Sequence, residues 1–212
     1  MSYRIIPLFH TPLYIDKIDI SDTEKHNLIN QDYEDIEARN GRMSKTKFLL
    51  NEAKFRRLRD KLNKHIDVYT RDVLAVGHEI TFVLQNSWCM KHHPGHFSQI
   101  HYHRNSILSG VIYIKTLPTS GDLYFHNTSA QNNLLSPIFS IPFEKVNIHN
   151  ANRYVVRPED GTIVIFPSCL SHRAQMNKSK SARYCLPFNY IIKGVLGPGT
   201  ETTWSLGKEY EL

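Results

Sequence analysis

Five of the chain's twelve histidines fall between His92 and His103. Two of them, His101 and His103, are two residues apart in a segment with strand-like alternation. Side chains at that spacing on an extended segment point the same way, so both imidazoles can face one ion. A third, His172, comes just after another strand-like run, Thr162 to Phe166, and Arg183 lies eleven positions further on. Imidazole suits zinc, copper, iron and nickel, so residue type alone does not name the metal. Two strand-borne ligands and one distant in sequence can hold an ion by one face and leave other positions open.

The remaining candidates have blander readings. His92, His93 and His96 flank the break at Pro94-Gly95 and read as surface-loop or rim histidines, as do His126 and His149. Trp88 and Phe97 read as core residues, because aromatic side chains bury large areas. Cys169 reads as a small buried filler, and Ser168 as part of a turn with Pro167.

The elements that must position these residues are mostly strands. From His78 onward the apolar period is two, beginning with Ile80, Phe82 and Leu84. Further strands are expected over Phe97 to His101, Ile107 to Ile114, Gly121 to Phe125, Tyr154 to Arg157, Thr162 to Phe166, Arg173 to Met176 and Arg183 to Ile192. Turn residues such as Pro118, Gly121 and Pro158-Glu159-Asp160-Gly161 punctuate them. Many short strands without βαβ alternation mean a sandwich or barrel. Before them, Ser2 to Leu8 and Leu13 to Ile20 read as edge strands. Ser21-Asp22-Thr23-Glu24 is a capping box, expected to open a helix that fades near Asn40-Gly41. Thr46 to Leu74 reads as a second helix, with an apolar stripe of Phe55, Leu58, Leu62, Ile66, Tyr69 and Val73 and a solvated basic face. The stretch from Ser129 to Arg153 breaks the rhythm and is expected to border the site and help select substrate.

At 212 residues, with 41% apolar and 22% charged side chains, the chain has room for one well-filled core. A single domain is expected: strands and supporting helices over 1–77, a barrel over 78–193 and a tail over 194–212, with Trp204 as its anchor. No apolar run approaches the ~18 residues of a bilayer span, and no secretion signal is evident. Three cysteines without CxxC spacing argue for a reducing compartment, so a cytoplasmic location is expected. The net charge of +6 permits a nucleic-acid partner without requiring one, and much of the excess sits between Lys45 and Lys64.

Two stretches carry a more specific likeness: NSWCMKHHPGHFSQIHYHRNSILSGVIYIKTLPTSGDLYF and RPEDGTIVIFPSCLSHRAQMNKSKSARYCLPFN. Their order resembles that of the iron(II)- and 2-oxoglutarate-dependent oxygenases, distantly of the prolyl 4-hydroxylase type. The resemblance covers roughly the last two thirds of the chain. It implies a mainly β fold with N-terminal helices, namely a double-stranded β-helix of the jelly-roll or cupin-like kind. It also implies Fe(II) and 2-oxoglutarate as cofactors, with His101, His103 and His172 on the metal. Arg183 then falls where the family holds the distal carboxylate of 2-oxoglutarate, with Tyr113 and Cys185 beside it. A guanidinium suits that task because it grips a carboxylate bidentately and stays charged when partly desolvated.

One departure stands out: a histidine, His103, occupies the position where the family has an acid. Asp122 and Asn105 are the other candidates for third ligand, although alternation with Leu123 and Phe125 turns Asp122 away. The implied activity is hydroxylation of an unidentified substrate, a protein, nucleobase or small molecule, with decarboxylation of 2-oxoglutarate to succinate. Two other readings stay open at this point. One is a cupin-type three-histidine dioxygenase or isomerase that does not use 2-oxoglutarate. The other is a non-enzymatic module whose basic helix binds nucleic acid.

Overall fold

Strands dominate from Thr81 onward, as the alternating pattern predicts. The computed structural model describes residues 2–6, 10–36, 40–127 and 142–197, together with the backbone of 204–206. In chain order the elements are β1 (Tyr14–Lys17), α1 (Asp22–Ile29), β2 (Tyr33–Asp35), β3 (Arg42–Ser44), α2 (Arg56–Asp67), β4 (Thr81–Ser87), β5 (Met90–His92), β6 (Leu108–Lys115), β7 (Leu123–His126), β8 (Arg153–Val156), β9 (Thr162–Pro167), β10 (His172–Ala174), β11 (Arg183–Leu196) and β12 (Trp204–Leu206). Short 3₁₀ turns precede α2 and a π turn follows it.

The major sheet runs β1-β9-β6-β11-β5-β3-β2, and β4 and β12 also pair with β11; the minor sheet runs β10-β7-β8. The two sheets face each other across an apolar layer drawn from both, including Val111, Tyr113, Val164 and Cys185 from the major sheet and Leu123, Phe125 and Val156 from the minor. This is the expected double-stranded β-helix. The major sheet's other face carries Ile112, Ile163, Ile165, Leu186 and Phe188, which bury against Leu28, Leu58, Leu62 and Ile66 of the helices. Period two in the strands and a three-to-four step in α2 thus meet in one apolar layer.

Several expectations are corrected. The helix opened by the Ser21 capping box ends at Ile29, not near Asn40. The residues after it pair instead as β2 and β3 on the edge of the major sheet, with β3 against β5. Thr46 to Leu74 is not one helix: Glu52 is extended, with φ −70° and ψ 141°, and separates two 3₁₀ turns before α2 begins. The stripe from Phe55 to Tyr69 is buried, but Val73 is exposed in the π turn, where the wider winding takes it off the stripe. Phe97 to His101 makes a single bridge rather than a strand, and residues 2–6 form none. The short strand β5 was not anticipated. Of the stretch 129–153, positions up to 141 lie outside the described residues, as does the side chain of Trp204.

The basic face of α2 is largely paired within the chain. Arg57 meets Asp19 and Glu24, Lys61 meets Asp19, and Arg56 meets Asp60; in the 3₁₀ turn just before the helix, Lys54 meets Glu52. Among the described residues no helix is long and apolar enough to cross a membrane.

Gly110 in β6 leaves room for the Phe188 ring. A Cβ there would stand 2.2 Å from Phe188 Cζ and 2.5 Å from the Val164 carbonyl oxygen, which is backbone and cannot swing aside. Gly110→Ala is therefore expected to lower the unfolding free energy by about 1–3 kcal/mol. Urea denaturation checks this through a lower midpoint at unchanged slope.

Candidate metal centre

His101 and His172 are joined before any ion is considered. Their backbones exchange two hydrogen bonds, each N–H donating to the other's carbonyl at 2.9 Å. The segment is clamped again two residues on, where His103 N–H donates to the Ser168 carbonyl at 2.9 Å. These bonds lay the stretch 101–103 along the connection between β9 and β10. The ring centroids of His101 and His172 are 4.4 Å apart, and His103 lies 5.2–5.3 Å from each. One nitrogen from each ring lies within 4.8 Å of the other two. The sequence-expected trio is thus brought together.

Each ring is oriented by a carbonyl acceptor. His101 Nδ1 is 2.8 Å from the Gln99 carbonyl, and His172 Nδ1 is 2.9 Å from the Leu170 carbonyl. His103 Nδ1 is 2.5 Å from Asn189 Oδ1. That amide is itself fixed, since its Oδ1 accepts from Ser109 Oγ and its Nδ2 donates to Asn86 Oδ1, both at 2.7 Å. Ser109 Oγ also meets Ser168 Oγ at 2.8 Å. A carbonyl facing Nδ1 selects the tautomer with its proton there and leaves the Nε2 lone pair free to bind a cation. Burial supports the neutral form. It brings the His172 pKa down to about 3, with nearby His101 adding to the effect, and it lowers that of His103. Three neutral imidazoles are a donor set that iron(II) accepts.

The other candidate ligands are elsewhere. Asn105 is exposed in a turn with φ +58°, and Asp122 faces Arg157 at 4.0 Å. Some bland readings also change. Cys169 is exposed rather than buried, and Ser168 is buried and belongs to the Asn189 network. Trp88 is half-buried and lines the cavity, its ring 6.2 Å from His103, while Phe97 is half-buried and away from it. His92 is buried in β5 and is no rim residue.

The histidines open into a cavity of about 400 Å³ whose wall includes Trp88, Met90, Val111, Tyr113, Phe166 and Cys185. Beside it, Arg183 is 1% exposed. Its Nη1 donates to the carbonyls of Ser120 at 2.7 Å and Gly121 at 2.8 Å, but its Nε and Nη2 are buried with no partner. Gly121, at φ +97°, makes this fit possible, because a Cβ there would meet Arg183 Nη1 at 2.7 Å and the Gln175 carbonyl at 2.4 Å. Tyr113 and Cys185 are buried nearby. Burial raises both groups, Cys185 to about 11, so neither ionises near neutral pH. A buried cation with two unmatched nitrogens fits an anionic group, and 2-oxoglutarate carries one at its far end.

Sequence reasoning missed Asn189, Ser109 and His92. The first had a signal: Arg183, Cys185, Pro187 and Asn189 alternate on one face of β11, and a polar residue on an interior face needs a polar reason.

A family model described as "Putative 2OG-Fe(II) oxygenase" matches residues 86–189. No curated protein matches the sequence. Among solved structures, the α-ketoglutarate-dependent carbocyclase SnoK from nogalamycin biosynthesis shares 13% identity and a TM-score of 0.59, over 87% of this chain and 82% of its own. HygX from Streptomyces hygroscopicus, solved with nickel and 2-oxoglutarate bound, shares 12% identity and a TM-score of 0.56, over 85% and 82%. A prolyl-4-hydroxylase from Pseudomonas putida shares 13% and a TM-score of 0.55, over 85% and 92%. At such identities the likeness is one of fold.

The Asn189 network yields a prediction. Asn189→Leu removes the acceptor that sets the His103 tautomer, and metal affinity is expected to fall about 10–100-fold. Calorimetric titration with Ni(II) measures it, and circular dichroism checks that the fold survives.

Proposed function

We propose that the chain is a 2-oxoglutarate- and iron(II)-dependent oxygenase, a reading supported by the family match over residues 86–189, and that it hydroxylates a C–H bond while converting 2-oxoglutarate to succinate. His101, His103 and His172 hold the ferrous ion through Nε2, and Arg183 holds the distal carboxylate of 2-oxoglutarate. When bound, the ion supplies the redox chemistry by which 2-oxoglutarate, dioxygen and substrate become succinate, carbon dioxide and hydroxylated product. The chain's own residues do the rest. The backbone bridge at His101 and His172 fixes two ligands before metal arrives, and the Asn189 amide turns the third. Arg183 would hold 2-oxoglutarate by its distal carboxylate and so fix which way round the co-substrate lies. Apolar walls at Val111 and Phe166 keep water from the reacting centre.

The observation that carries this reading is the buried guanidinium of Arg183 with its Nε and Nη2 unmatched. A three-histidine cupin that does without 2-oxoglutarate has no use for it. The match to the oxygenase family favours the same choice. Substrate class, whether protein, nucleobase or small molecule, is left to a screen, since a fold does not carry specificity.

With iron(II), 2-oxoglutarate and ascorbate, the enzyme is expected to release succinate in step with product once its substrate is supplied. Arg183→Leu is expected to weaken 2-oxoglutarate binding by about 100-fold or more, because a bidentate charge-assisted pair is lost, while Ni(II) affinity stays as it was. An Ni(II)-loaded wild-type protein that takes up no 2-oxoglutarate in calorimetry would defeat the proposal.

A further inference from the structure

Arg183 has a neighbour whose unmet hydrogen-bonding capacity matches its own. In the antiparallel pairing of β5 with β11, His92 lies directly opposite Arg183. Directly opposed residues project from the same face of a sheet, with Cβ atoms about 5 Å apart. His92 is 1% exposed and lines the same cavity as the three candidate metal ligands. Its Nε2 lies 3.3 Å from Ser98 Oγ, and the Asn40 backbone is the other hydrogen-bonding group against the ring. Its Nδ1 is buried with no partner. Adjoining strands therefore present three orphaned nitrogens: Nδ1 of His92, and Nε and Nη2 of Arg183. Buried polar atoms are almost always partnered, so three from facing residues mark the place of one absent group. A carboxylate has about four lone-pair sites on two oxygens, enough for a two-pronged guanidinium and one further donor.

We infer that His92 is a second anchor for 2-oxoglutarate, its Nδ1–H donating to the distal carboxylate beside Arg183. This rests on the function proposed above. In the liganded form the ring proton sits on Nδ1, and Nε2 gives up its bond to the Asn40 carbonyl and accepts from the Ser98 hydroxyl instead. This tautomer change breaks the Nε2–H bond and forms the Nδ1–H bond by exchange with water, with no net gain or loss of protons.

The test uses the full chain loaded with Ni(II) and two ligands: 2-oxoglutarate, and 2-oxopentanoate, which has a methyl group in place of the distal carboxylate. His92→Leu is expected to raise the Kd for 2-oxoglutarate about 10–100-fold, as for a lost hydrogen bond to a charged group. The Kd for 2-oxopentanoate and that for Ni(II) should not change. His92→Asn, whose shorter amide places an N–H near the Nδ1 position, is expected to recover most of the loss. Should the leucine variant not fold, His92→Gln keeps a group toward Ser98 but none at Nδ1, and should show the same selective loss. Equal weakening of both ligands, or no weakening of either, overturns the inference. Arg183→Leu separates the two levels of the argument. If it weakens 2-oxoglutarate selectively and the His92 variants do not, the co-substrate site stands and His92 has no part in it. If neither variant discriminates between the ligands, the co-substrate site itself falls.

Discussion

Among the described residues, Arg183 carries the one fully buried positive charge, and the inner end of the site is built around it. Burying a guanidinium is costly unless its hydrogens and its charge are matched. The protein matches part of the hydrogen bonding, through the carbonyls of Ser120 and Gly121 at Nη1. Among the described residues no carboxylate hydrogen-bonds to Arg183, and three ionisable side chains beside it, His92, Tyr113 and Cys185, are held neutral. His92 is pushed well below its ordinary pKa by burial and by Arg183 itself. Tyr113 and Cys185 are pushed up by burial, with Arg183 only partly opposing the shift. An excess of positive potential in a low-dielectric pocket is a standing attraction for an anion of the right length. Removing the arginine is thus a different act from removing a surface charge: it takes away a buried cation whose two nitrogens stand unmatched.

The same strand reaches both halves of the site. β11 carries Arg183 at its start and Asn189 six residues later, both facing inward, while Tyr184, Leu186, Phe188 and Tyr190 pack outward toward the helices. At about 3.3 Å per residue this places the proposed carboxylate anchor and the support for His103 some 20 Å apart along one backbone. A one-residue slip of β11 would turn every one of these side chains to the wrong face. The helices matter to chemistry for this reason. Leu58, Leu62 and Ile66 hold the outward face of the sheet in a single register, and with it the inward face.

The sequence made some of this legible and hid the rest for definable reasons. Alternation over Ile107 to Ile114 and Thr162 to Phe166 announced strands because both are long enough to show a period. His101, His103 and His172 could be grouped because spacing and order in the chain both pointed to one face. β5 spans three residues and shows no period, so the parity that would have turned His92 inward could not be read. Phe97 to His101 alternates like a strand, yet its backbone is tied to β10 only by the bridge to His172 and a bond from Ser98 N–H to the Ala174 carbonyl, pairings set by tertiary structure. The helix after Ser21 had a clear start and no clear stop. Its end at Ile29 is capped by Asn30, whose backbone N–H and side-chain amide both donate to the His26 carbonyl, and the chain beyond it enters the sheet as β2 and β3.

The third histidine sharpens what the supporting carbonyls must do. A carboxylate ligand attracts a cation by charge as well as by lone pair, and tolerates loose orientation because either oxygen can bind. An imidazole in its place offers one lone pair in one direction, and only in one of two tautomers. The site therefore depends on geometry where the usual triad can lean on charge. Gln99, Leu170 and Asn189 each turn an Nδ1 toward a carbonyl oxygen, and Asn189 is pinned in turn by Ser109 and Asn86. Two of these acceptors are backbone, at positions where a side-chain substitution cannot remove them. The third is a side chain, and it serves the very histidine that stands in the acid's place. Asn189 is accordingly the point at which a change of one residue reaches the metal most directly without touching a ligand.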